Sequence, residues 1–329
     1  MRKTLFAVIL MLWLTLLLPK GYSQSKHTPT RQGKQDFVYV LWGQDVRVYR
    51  VRRNGTLQSV PQEHLEIGQY PRFLAASPNG HALYVGSDAR PNDYHSGVIF
   101  EFTIHKNGSL SRLGAVEAGI YPLLMAISPS RSFLYCAAEN NGVASQGVIY
   151  QYRVKPDGML VPLTPALVNL NTSFAGSLNM HPSGKYLYTL IKGDPICFRI
   201  SRNGTLLRLP SAPIQSDVKE LAIDPSGRYV YLLQKDSVIS VANVDLHTGN
   251  LSILRPVAHV SRGAYNMAIN PEQNVLHIIN PTGGMVSEFH IAPDGSLKPS
   301  VPPTFPALRA FRRLAVDPKG QFAYVTHSR

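Results

Sequence analysis

The chain has 329 residues, 44% hydrophobic and 16% charged, which excludes a disordered chain and supplies apolar material for a sizeable core. Two cysteines, Cys136 and Cys197, exclude a scaffold built on disulfides. The net charge of +13 comes from basic residues scattered singly; sequence-specific nucleic-acid binding has no motif here, and the charge favours anionic partners or serves solubility.

Arg2 and Lys3 precede an apolar run from Leu5 to Leu18, and Gly21-Tyr22-Ser23 follow with small residues. This pattern predicts a secretory signal over residues 1–23, with an N-terminal membrane anchor as the alternative. The run is shorter than the ~20 residues of a spanning helix, and no other stretch could cross a bilayer. The expected location is therefore secreted or periplasmic. Loss of Arg2, Lys3 and Lys20 would leave 30 basic against 20 acidic residues. Residues 24–36 read as a linker.

From residue 37 the chain repeats itself. Six segments share one shape: SPNGHALYV at 77–85, SPSRSFLYC at 128–136, HPSGKYLYT at 181–189, DPSGRYVYL at 224–232, NPEQNVLHI at 270–278 and DPKGQFAYV at 317–325. FVYV at 37–40 keeps the second half. One position carries Tyr39, Tyr84, Tyr135, Tyr188, Tyr231, His277 and Tyr324, at intervals of 43 to 53 residues. Out of phase runs a second motif, as in Asn54-Gly55-Thr56-Leu57, Asn107-Gly108-Ser109-Leu110 and Asp294-Gly295-Ser296-Leu297. Asn-Gly and Asp-Gly tolerate positive φ and make tight hairpin turns. Alternating runs such as Val46-Arg47-Val48-Tyr49 precede them and predict half-buried strands.

Each unit thus holds four strands, and the period is that of a propeller blade. The fold expected over residues 37–329 is all-β: a β-propeller of four-stranded antiparallel blades. The tyrosines and the alanines Ala75, Ala126, Ala222, Ala268 and Ala315 are expected to pack blade against blade. The count leaves the first blade without an innermost strand and the last without its outer two. We read this as seven-blade ancestry with an incomplete C-terminal blade; irregular closure of six blades is the alternative.

The proline-glycine-Leu-Tyr-Val segments, the strand before them and the Asp-Gly-x-Leu turns together resemble the lactonase-like seven-bladed propellers, which include 6-phosphogluconolactonases and YVTN-repeat proteins. That resemblance implies a lactone hydrolase or related cycloisomerase. It also implies a histidine-rich segment leading into a middle blade and an acidic residue after that blade's second strand. The matching stretch here, residues 174–182, keeps only His181, which reads as a turn residue, and Leu190-Ile191-Lys192-Gly193-Asp194 lacks the acidic pattern.

The candidate site is the channel mouth, where inter-blade loops gather. Six residues before the motif prolines lie Arg72, Leu123, Gly176, Lys219, Tyr265 and Arg312, with Arg262 close by. Converging cations suit a carboxylate or phosphate, so Arg72, Lys219, Arg312, Tyr265 and Arg262 are the candidate ligand-binding residues. Glu139, after a second strand, and His95, beside Asp93, are the candidate general bases. No metal-ligand spacing or cofactor motif stands out. The main expectation is a binding module for an anionic small molecule, acidic glycan or protein, and a lactonase is the alternative. Cys136 and Cys197 fall in different blades and should not be bridged.

Overall fold

Every hairpin motif puts its glycine at positive φ, from 78° at Gly249 to 97° at Gly158, a region closed to most side chains. The alternating runs before the turns and the Leu-Tyr-Val runs then pair as antiparallel neighbours. The structure, a computed structural model, describes residues 6–8, 14–15, 36–88, 97–139, 146–171, 175–210, 217–252, 254–306, 311–317 and 319–327.

Strands account for the regular structure of the described residues, and they form seven sheets. In the second blade, Pro71–Ala76, Ala82–Ser87, Val98–Ile104 and Leu110–Glu117 run from the innermost strand outward. The third comprises Ile120–Ile127, Phe133–Glu139, Gly147–Val154 and Leu160–Asn169. The fourth comprises Ala175–Met180, Tyr186–Ile191, Asp194–Ile200 and Leu206–Arg208. The fifth comprises Val218–Ile223, Tyr229–Gln234, Val238–Asn243 and Arg255–His259. The sixth comprises Asn266–Asn270, Val275–Asn280, Met285–Ile291 and Leu297–Pro306. All five follow the expected order, each strand antiparallel to the next.

The first blade holds Phe37–Trp42, Asp45–Val51 and Leu57–Val60, as expected. Its innermost place is taken by Phe6–Val8, paired in parallel with Phe37–Trp42. The seventh holds Phe311–Val316 and Ala323–His327, with Leu14–Thr15 antiparallel to the latter. The expected gaps at the two ends therefore meet at one seam, where short strands from the N-terminal apolar run lie. The innermost strands neighbour one another in blade order, and Phe6–Val8 stands between the seventh and second blades.

One hydrogen bond recurs between neighbouring blades. The hydroxyl of the motif tyrosine donates to the hairpin-glycine carbonyl of the following blade. The pairs are Tyr39 to Gly108 (2.8 Å), Tyr84 to Gly158 (2.8 Å), Tyr135 to Gly204 (2.6 Å), Tyr188 to Gly249 (2.6 Å), Tyr231 to Gly295 (3.0 Å) and, across the seam, Tyr324 to Gly55 (3.3 Å). These tyrosines are among the most buried side chains, and burial holds their phenols well above the ordinary range. The glycine is needed for space as well as for φ. A Cβ on Gly204 would lie 2.2 Å from the Phe133 ring, two residues before Tyr135.

Further links follow the same direction. Glu101 Oε1 accepts the Leu160 N–H at 2.8 Å, and Gln151 Oε1 accepts the Leu206 N–H at 2.6 Å. His181 Nε2 lies 2.8 Å from the Gly227 carbonyl in the next blade, and its Nδ1 meets Ser183 at 2.7 Å. His181 is thus a buried turn residue tying two blades, as the sequence indicated. Cys136 and Cys197 are free and buried; burial pushes the Cys197 thiol up to about 12.

Tyr135→Phe should lower the free energy of urea unfolding by about 1–2 kcal/mol, because it strands the buried Gly204 carbonyl. Gly204→Ala should cost more than Tyr135→Phe, since Phe133 must move. A Tyr135→Phe variant as stable as the parent would contradict the latch.

Candidate functional site at the channel mouth

The innermost strands carry irregularities at one matching place. Pairing skips a residue between Pro71 and Phe73, between Val218 and Glu220, and between Phe311 and Arg313. Arg72, Lys219 and Arg312 are the bulged residues, and a bulge re-aims the side chains around it. The three cations do share one register position. In the sixth blade the corresponding Tyr265 precedes the regular strand, and its N–H donates to the Ile279 carbonyl at 3.0 Å.

The side chains at that position do different things. Arg72 is already committed. Its Nε donates to Asp88 Oδ2 at 2.5 Å, its Nη2 bears on the same oxygen, and its guanidinium lies 5.4 Å from the Tyr121 ring centroid. Burial raises the Asp88 pKa against the hydrogen bond and charge of Arg72, and Asp88 Oδ1 is buried with no partner. Lys219 is half-buried and makes no ion pair among the described residues. The side chain of Arg312 lies outside the described residues. Arg262 is exposed, and its backbone carbonyl accepts from Asn280 at 2.9 Å. His95 and Asp93 lie outside the described residues. Glu139 ends the strand Phe133–Glu139, half-buried and paired in register with Gly147 and Ile120.

A polar cluster stands one residue further along the innermost strands. Glu220, Asn266 and Arg313 occupy equivalent places in the fifth, sixth and seventh blades. Asn266 Nδ2 donates to Glu220 Oε2 at 3.3 Å, and Asn266 Oδ1 accepts the Leu314 N–H at 3.3 Å. One side-chain amide therefore stitches three consecutive blades. Arg313 lies over Tyr265, 5.9 Å from its centroid. Burial raises the Glu220 pKa to about 7, although the charge of Arg313 and hydrogen bonds from Asn266 and Leu221 pull it down. Glu220 is nonetheless only half-buried by solvent contact: it is surrounded by protein yet reached by water.

Tyr70, Tyr121 and Tyr265 are the large exposed aromatics here, at 49%, 42% and 49%. The mouth thus combines a carboxyl poised near neutrality, an arginine, a side-chain amide and apolar ring faces. That set can hold an anion, exchange a proton and steady a developing oxyanion. No group of side chains among the described residues has the makings of a metal site. The sequence candidates Lys219 and Tyr265 stand one residue before Glu220 and Asn266. The motif alignment held a usable signal, because Glu220, Asn266 and Arg313 all fall five residues before the motif proline.

Comparison with known proteins follows the same lines. The family described as lactonase, seven-bladed β-propeller, matches residues 82–169. A 6-phosphogluconolactonase of Pectobacterium atrosepticum is 27% identical over 177 residues, 52% of this chain and 50% of that protein. The chain spans about half the length of the curated relatives it matches. Among solved structures, a Bacteroides uniformis protein named as a candidate 6-phosphogluconolactonase superposes with a TM-score of 0.69 at 18% identity, over 85% of this chain and 84% of that one. A periplasmic gluconolactonase of Pseudomonas aeruginosa gives 0.67 at 18%, over 86% and 85%. At those identities the superpositions speak for the fold alone.

A carboxyl raised to about 7 is protonated in the fold where the unfolded chain is ionised. Stability therefore falls as pH rises from the ordinary carboxylate pKa toward 7, and the deficit is complete above it. Glu220→Gln should stabilise the protein by about 2 kcal/mol at pH 8.5 and little at pH 4. Equal effects at both pH values in urea titrations would contradict the raised pKa.

Proposed function

Because the chain resembles the lactonase-like seven-bladed propellers in sequence and in fold, we propose that it opens a sugar lactone by hydrolysis at the channel mouth. The observation that carries this reading is Glu220, poised near neutral pH beside Asn266 and within the field of Arg313. Ionised Glu220 takes a proton from a water whose oxygen attacks the lactone carbonyl carbon. The carbonyl oxygen becomes an oxyanion, held by Arg313 and the Asn266 amide. Collapse breaks the ring C–O bond, and the departing alkoxide recovers the proton from Glu220. The product is a hydroxy acid, whose carboxylate is drawn to Arg313 and Lys219.

We further propose export, with residues 1–23 as the signal. The periplasmic location given for the Pseudomonas relative supports this, and an exported enzyme would meet unphosphorylated sugar lactones. Cleavage after Ser23 would remove both N-terminal seam strands and leave the Tyr324–Gly55 hydrogen bond, the Lys319–Asp36 ion pair and the apolar cluster around Val38, Val40 and Tyr324 to hold the first blade to the seventh.

A second reading is a non-catalytic module for an anionic ligand, acidic glycan or protein. It is favoured by Arg72, whose charge is already matched by Asp88, and by His181, whose ring is consumed in joining blades. One experiment separates the two. Acid release from glucono-δ-lactone, followed by pH-stat, should exceed the spontaneous rate and rise with an apparent pKa near 7. Glu220→Gln should lower kcat/KM by about 10²-fold or more, as loss of a general base does, and Arg313→Ala should also lower it. No release above the buffer rate, with gluconate still binding by calorimetry, would decide for the binding module.

A further inference from the structure

The outer hairpin of the fifth blade departs from the other hairpins that carry the glycine motif. In those, a residue donates its N–H to the carbonyl four places on, as Ser201 does to Thr205, and the glycine donates back across three, as Gly204 does to Ser201. In the fifth blade Asp245 donates to the Asn250 carbonyl and Gly249 to that of Asp245, so the turn is one residue longer. Leu246 and His247 stand in that longer turn, both exposed.

The turn is seated on Tyr186 of the fourth blade. The Tyr186 hydroxyl reaches the carbonyls of His247 at 2.5 Å and Leu246 at 3.3 Å, and a Cβ on Gly249 would lie 2.5 Å from the Tyr186 ring. In the third blade an arginine makes the equivalent contact. Arg153, paired in register with Phe133, lies over that ring, and its Nη2 donates to the Asn203 carbonyl in the next hairpin at 3.4 Å. Arg199 is the matching residue one blade on, paired in register with Tyr186. Here the tyrosine hydroxyl has taken the turn carbonyls. The side chains of Arg199 and Lys185 make no hydrogen bond, ion pair or ring contact among the described residues. An open cleft of about 480 Å³ lies between Lys185, Tyr186, Arg199, Ile200, Leu246 and His247, within the size range of small-molecule sites. The carboxylate in the turn, Asp245, is spent on the N–H groups of His247 (2.8 Å) and Thr248 (3.2 Å).

We propose that this cleft is a second binding site, separate from the channel mouth, for a small monocarboxylic acid with an apolar body. The mouth residues stand at the start of the innermost strands, whereas Lys185 follows the end of one and the hairpins lie at that same end, so the cleft opens on the opposite face. The carboxylate lies between the Lys185 ammonium and the Arg199 guanidinium, whose fork takes both oxygens. The apolar body rests on Ile200 and Leu246. Two cations against the one carboxylate of Asp245 leave a local charge that a single carboxylate matches. The site does not depend on Glu220 or on lactone hydrolysis.

The probe is 3-phenylpropionate, titrated against the full chain and followed by ligand-observed NMR. Saturable binding is expected, weakening as salt is added. Arg199→Gln and Lys185→Gln should each weaken it by about tenfold. Both side chains are exposed, so both variants should keep the parent's thermal midpoint. Neutral 3-phenylpropionamide, which lacks the charge, and acetate, which lacks the apolar body, should each bind at least about tenfold more weakly than the acid. Arg153→Gln, at the matching place in the third blade, and Arg313→Ala, at the mouth, should leave the affinity unchanged. Absence of saturable binding, affinity unchanged in either glutamine variant, or equal binding of the amide would overturn the site. So would loss of binding in Arg313→Ala, since that would place the acid at the mouth.

Discussion

A buried tyrosine hydroxyl reaching the carbonyl of a tight-turn glycine in the next blade is the contact on which this ring depends. A four-stranded sheet with two apolar faces cannot fold alone, so each blade needs its neighbours on both sides. Apolar packing supplies most of the driving force, but packing between similar sheets tolerates sliding. The hydroxyl bond does not tolerate it, because a shift of one residue would leave a buried phenol and a buried carbonyl without partners. The latch therefore fixes the register of each blade against the next.

That register sets the chemistry at the mouth. With the second strands latched in phase, equivalent positions of the innermost strands face the channel together. Glu220, Asn266 and Arg313 meet because they are equivalent residues in three successive blades. Just before two of them the strand pairing skips a residue, at Lys219 and at Arg312. Crowding by protein around a half-wetted carboxyl then raises Glu220 more strongly than Arg313 lowers it. On the opposite side of the mouth, Arg72 and Asp88 form a closed pair stacked against Tyr121, which offers shape and little free charge.

Much of this fold could be read from residues alone, because its devices are local and chemically distinctive. Positive φ at Asn-Gly and Asp-Gly, the motif prolines and the recurring tyrosine each have few structural meanings, and together they mark the strand order of the five central blades. Bulges have no such signature. Counting back from the prolines gives Lys219 and Arg312, whereas the polar cluster involves Glu220 and Arg313, one residue further along the same strands. The partner of Arg72 was hidden for a related reason: Asp88 lies 16 residues away, beyond an intervening strand and turn. His277 read as a departure from the tyrosine pattern. The placement of Phe6–Val8 and Leu14–Thr15 at the seam had no signal at all, since an apolar run fits a buried strand as well as a targeting segment.

Native-state hydrogen exchange tests the latch most directly. The amides of Leu160 and Leu206 belong to outer hairpins but are bonded into the preceding blades by Glu101 and Gln151. If the latches couple the blades, these amides should exchange only through the same large opening that exposes the second strands Ala82–Ser87 and Phe133–Glu139, and Tyr84→Phe and Tyr135→Phe should weaken both sets together. Exchange of the outer hairpins through a much smaller opening, unaffected by either substitution, would mean that the blades are held by packing alone.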